Sequence, residues 1–234
     1  MRLSHLTLLA AAASLVFCFT VASAGDSPIP LKKGDRIVFL GDSITAQGVG
    51  AKGYVTVIKN TIAEKYKDLG IEIIGAGVGG NKVPDLQKRL DKAVIARKPT
   101  VVVIYIGIND VWHGEKNPAN GTSKENFEAG LRDIIGKINT AGGRVVLCTP
   151  TVIGEKTGGG NSLDAKLDEY SDISRKIAKD MKLPLCDLRK AFVDHLSKNN
   201  ADNKVSGVLT SDRVHLNEAG NRLVAETMLK TLDR

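Results

Sequence analysis

Short apolar runs of strand length alternate along this chain with segments whose apolar residues return every three to four positions. Arg36 to Leu40 reads as a first strand. From Gly53 to Tyr66, the residues Tyr54, Val57, Ile58 and Ile62 share one helical face. Ile71 to Ile74 reads as a second strand, running into a glycine-rich turn. Pro84 suits the first turn of the next helix, where a missing N–H leaves nothing unsatisfied, and Leu86, Leu90, Ala93 and Val94 give that helix an apolar face. Thr100 to Ile106 is β-branched or apolar throughout, the pattern of a strand buried on both faces. Phe127, Leu131, Ile134, Ile135 and Ile138 mark a helix that Gly142 and Gly143 end, and Arg144 to Leu147 makes a fourth strand. A glycine-rich loop over 154–162 precedes a helix carrying Leu167, Tyr170, Ile173, Ile177 and Met181. Leu183 to Cys186 is a short fifth strand. Helices over 188–198 and from Asn217, a suitable N-cap, to Leu232 complete the order.

Strands alternating with helices predict an α/β fold, a three-layer sandwich with a five-stranded parallel sheet covered on both faces. Such open sheets bind ligands at the carboxyl ends of their strands, so the chemistry should stand just after strands. It does. Gly41-Asp42-Ser43-Ile44-Thr45 follows the first strand, on a turn where a serine hydroxyl can meet a substrate. Alone, these residues would be an ordinary polar turn. The second strand leads into Gly75 to Gly80 and Asn81, where glycines let backbone N–H groups approach a ligand closely. Gly75, Gly77 and Gly80 also fit G-x-G-x-x-G, but they follow the second strand, and the next strand ends in Tyr105-Ile106-Gly107 with no acid to hold a ribose. Gly107-Ile108-Asn109-Asp110 follows the third strand. Its asparagine is either a turn residue or a neutral donor to a developing oxyanion.

Asp212-Arg213-Val214-His215 supplies a base near neutral pH with a carboxylate three residues earlier to fix its tautomer. Elimination favours His215 over the other histidines. His5 falls in a segment expected to be cleaved off, and His195 is in a helical stretch where adjacent Asp194 cannot share its face. His113 lacks an acid at comparable spacing and is expected to line the pocket.

Composition narrows the class. Arg2, an apolar run from Leu6 to Val21 and Ala22-Ser23-Ala24 have the layout of a signal peptide over residues 1–24, cut after Ala24. A single domain over 25–234 is expected, secreted or periplasmic, with no stable membrane insertion after cleavage. The formal charge of +7 comes from interleaved lysines and acids, and aromatics are 4% of the chain. That is a solvated basic surface and not a nucleic-acid footprint. Cys148 and Cys186 end apolar runs and read as buried thiols; one disulfide between them is the alternative in an oxidising compartment, and spacing does not establish it. No metal motif is present, and no cofactor is expected.

In order and placement the four blocks, GDS, a glycine block, GxND and DxxH, resemble those of the SGNH (GDSL-type) hydrolases, and they span residues 41–215. The resemblance implies a flavodoxin-like SGNH fold. It makes Ser43 the nucleophile, His215 its base and Asp212 the orienter of that base. Ser43, Gly80 and Asn109 form the oxyanion hole, with Gly79 the alternative glycine donor, and Asp42 lies beside the substrate. The compact GDSIT form is closer to the short-chain esterase and acetylhydrolase branch than to the large plant lipases. The loop after Asn109 should overhang the pocket, with Trp112 either stacking on a sugar or packing the loop down. With no room left for a large apolar lid, the expected substrate is a small ester or acylated carbohydrate, acetyl first. The same motifs serve an O-acyltransferase or a lysophospholipase- or thioesterase-like hydrolase. A non-catalytic binding module is the remaining alternative.

Overall fold

A computed structural model describes residues 28–232; the expected signal segment lies outside them. Five parallel strands lie in the order β2-β1-β3-β4-β5: β1 (Arg36–Gly41), β2 (Glu72–Gly77), β3 (Val101–Tyr105), β4 (Arg144–Cys148) and β5 (Leu185–Cys186). The all-buried run from Val101 to Tyr105 takes the centre, as its lack of polar alternation predicts. The edge strand β2 leaves Glu72 and Gly75 exposed.

Helices cover both faces of the sheet. On one side α3 (Val83–Ala93) packs on α5 (Lys124–Thr140), and α5 on α6 (Asp164–Asp180). On the other α2 (Tyr54–Lys65) packs on α8 (Glu218–Leu232), and α8 on α7 (Leu188–Asn199). The expected apolar faces are the buried ones: Ile58 and Ile62 on α2, Leu86 and Leu90 on α3, and Phe127 to Ile138 on α5. The Asn217 side chain caps α8 by accepting from Gly220 N at 3.0 Å.

Three local expectations need correction. Ser43 does not stand on a loop; it opens a short helix, α1 (Ser43–Gly48), and Asn109 lies in a second, α4 (Ile108–Trp112), where a turn was expected. The second strand continues through Gly75 to Gly77, so these glycines are strand positions, with Gly77 opposite Gly41. Their purpose is clearance. A Cβ on Gly77 would stand 2.2 Å from Ala46 N, and one on Gly75 2.3 Å from Val49 Cγ1, because α1 lies directly against the end of β2. The fifth strand is two residues long and begins after Pro184, whose carbonyl accepts from Leu147 but which has no N–H to give. Cys148 and Cys186 face each other in register as buried free thiols, and burial pushes the Cys148 thiol well above its ordinary range.

Candidate active site

The turn from β1 into α1 is tight because residue 41 is glycine. A Cβ there would meet Thr45 Oγ1 at 2.1 Å and Tyr105 O at 2.5 Å. Asp42 caps α1, its Oδ1 accepting from Ile44 N at 2.9 Å, so Ser43 becomes the first helical residue at the carboxyl end of the sheet. Ser43 Oγ lies 3.0 Å from His215 Nε2, and His215 Nδ1 lies 2.7 Å from Asp212 Oδ2. The other Asp212 oxygen accepts from Val214 N at 3.1 Å and His215 N at 2.8 Å. Burial works against the Asp212 carboxylate, but the hydrogen bonds from His215 and the two backbone N–H groups hold its pKa below the usual range.

The loop bearing this pair is fastened at its base. Thr210 bridges Leu216, and Ser211 N donates to His215 O at 2.8 Å. Arg213 takes a left-handed φ of 85°, and its carbonyl accepts from Gly154 N at 2.8 Å. Fully buried Glu155 receives Val208 N at 2.8 Å, Leu209 N at 2.7 Å and Thr210 N as well. A carboxylate with three backbone donors is an anchor. Sequence reading missed Glu155, because its partners lie 53 to 55 residues away and no local pattern pairs them.

Across the serine, Asn109 is buried and its Nδ2 donates to Asn81 O at 3.1 Å, which leaves the second amide hydrogen to a ligand. Gly80 has φ 72°, a conformation that favours glycine, whereas Gly79 has ordinary backbone geometry. Among the described residues, neither the Ser43 N–H nor the Gly80 N–H donates to another protein group. These two donors and the Asn109 amide all stand at the carboxyl ends of β1, β2 and β3.

Two buried carboxyls underlie the site. Burial pushes Asp42 up to about 7 and Asp110 up to about 6. Asp110 Oδ1 accepts from Val83 N at 3.0 Å, which ties the start of α3 to α4. His113 is exposed beside Gly80, its Cε1 3.9 Å from where a Cβ would stand there, and with Lys82 and Asn120 it lines a shallow hollow. Burial, then Lys82, lowers its pKa. Trp112 is half-buried against the core, with its ring centroid 6.3 Å from that of His113. His195 lies on α7, where its carbonyl accepts from Asn199.

This arrangement can move a proton from a serine hydroxyl to an imidazole. Similar proteins have the same frame. The GDSL-like lipase/acylhydrolase family matches residues 39–223. An acetylxylan esterase of Geobacillus stearothermophilus is 31% identical over 216 residues, covering 85% of this chain and 94% of its own. An isoamyl acetate-hydrolyzing esterase 1 homolog of Rattus norvegicus is 26% identical, covering 85% and 82%. The crystal structure of an acetyl xylan esterase superposes with a TM-score of 0.80 at 43% identity, covering 85% of this chain and all of that one. Structures of the Geobacillus enzyme include catalytic mutants in which a serine, an aspartate and a histidine are each replaced by alanine, the last two being three residues apart. This chain belongs to the GDSL-like lipase/acylhydrolase family, in its SGNH esterase branch.

Proposed function

We propose that the protein is a secreted serine esterase that removes short acyl groups, acetyl first, from carbohydrate. The observation that carries the reading is the bonded chain from Ser43 Oγ through His215 to Asp212, at 3.0 and 2.7 Å. His215 takes the Ser43 proton as the hydroxyl attacks the ester carbonyl. The tetrahedral oxyanion is met by the Ser43 and Gly80 N–H groups and the Asn109 amide, where one such donor contributes about 3 kcal/mol. His215 then protonates the leaving alcohol, and water, activated by the same imidazole, releases the acid. Asp212 holds the imidazole in the required tautomer and balances its charge while it is protonated.

The relatives that are acetylxylan esterases support the substrate class. Secretion rests on the pattern of residues 1–24.

A fluorophosphonate probe tests the chemistry. Wild type should be labelled and Ser43→Ala should not, and a folded wild-type protein that stays unlabelled rules the mechanism out. Aryl esters of rising chain length test the acyl preference. The rate should peak at acetyl, and a maximum at eight carbons or more contradicts the reading. Release of acetate from acetylated xylo-oligosaccharides tests the acceptor.

A further inference from the structure

Arg89 stands on α3, outside the four sequence blocks, and its guanidinium reaches the carboxyl ends of two strands. Nη2 donates to Gly41 O at 2.8 Å and Ala76 O at 2.9 Å, and Nε donates to Asn81 Oδ1 at 2.6 Å. Among the described residues no carboxylate bonds to it; all three acceptors are neutral. The group is half-buried, and that burial lowers its pKa.

What singles Arg89 out is where its partners lead. Gly41 is two residues before Ser43, and Asn81 follows Gly80. The carbonyl of Asn81 is also the acceptor of the Asn109 amide. One planar, rigid donor fork therefore sets the nucleophile's turn, the end of β2 and the glycine loop in fixed relation, which a flexible ammonium would not do. Gly79 and Gly80 are exposed, and a Cβ on Gly79 would touch nothing, so the local packing that restrains this loop is slight.

We infer that Arg89 is a positioning residue of the oxyanion hole, acting through Asn81 on the Asn109 amide. The inference rests on the role proposed above for Asn109. With Arg89 in place, the Asn81 peptide is held and its carbonyl fixes the plane of the Asn109 amide, so that the free hydrogen points to where charge develops. Without Arg89 the 79–82 segment swings, and donors that are off by an ångström lose most of their effect.

The test is kinetic, on an aryl acetate. Asn109→Ala should lower kcat by about a hundredfold or more. Arg89→Ala should lower kcat by about tenfold to a hundredfold with KM within about twofold, since ground-state binding does not use the oxyanion donors. The double variant should fall well short of the product of the two losses, because both remove one device. Losses that multiply in full overturn the inference, as does an Arg89→Ala variant with unchanged kcat. Should Arg89→Ala fail to fold, Asn81→Ala, which keeps the arginine's bonds to Gly41 and Ala76, goes through the same cycle and is judged by the same rule. A fully active Asn109→Ala instead refutes the oxyanion role proposed for Asn109, so the two failures are distinguishable.

Discussion

Asp212 accepts three hydrogen bonds inside a four-residue turn, two from backbone N–H groups and one from the imidazole. In Asp212→Asn the backbone bonds to the side-chain oxygen can survive, whereas the amide no longer selects the tautomer or balances an imidazolium. We expect kcat on an aryl acetate to fall by about 10³- to 10⁴-fold with the fold intact, measured by steady-state kinetics alongside circular dichroism. The pairing of this residue with His215 was legible in the sequence because its partner is local: an acid three positions before a histidine in a polar loop. The choice between Gly79 and Gly80 was not legible, because adjacent identical residues carry no signal that separates them; the structure distinguishes their backbones, with φ 72° at Gly80, but among the described residues neither N–H donates to another protein group. Trp112 was equally ambiguous, because stacking and packing place the same demand on residue type.

Elements of a full helical period were readable, and shorter ones were not. The expected α2, α3, α5 and α6 all form, since each shows its apolar face over three turns or more. The helices α1 and α4 have six and five residues, too few for a repeat to emerge, and both carry site residues. The packing of α1 on β2 explains the glycine run better than ligand approach alone does. Gly77→Ala places a methyl against the Ala46 backbone, and we expect a loss of roughly 1–3 kcal/mol in denaturant unfolding. Glu155→Gln puts an amide NH2 among backbone donors that need acceptors. It should destabilise the protein by about 3 kcal/mol and slow probe labelling of Ser43, because the histidine loop loses its anchor.

For the molecule as a whole, the buried carboxyl of Asp42 links stability to pH. Its folded pKa of about 7 lies above the ordinary 3.8, so between these values the folded state keeps a proton that the unfolded chain has released. Stability from this group is therefore greatest at low pH and falls as pH rises from about 4 to 7, by on the order of 4 kcal/mol. His113, with its lowered pKa, acts in the opposite direction below pH 6.5. Comparing wild type with Asp42→Asn isolates the aspartate. Urea midpoints at pH 5 and pH 8 should show that the variant loses less stability across that interval, and equal losses would contradict the assignment. The same wide architecture has a consequence for the life of the chain. Ser43 and His215 are 172 residues apart, and the histidine loop immediately precedes α8. On the proposed chemistry, a nascent or unfolded chain carries an inert serine, and esterase power arrives only when the last loop docks. Latency is thus a property of the topology. During refolding, labelling of Ser43 should lag behind the return of helical signal and keep time with the slowest step.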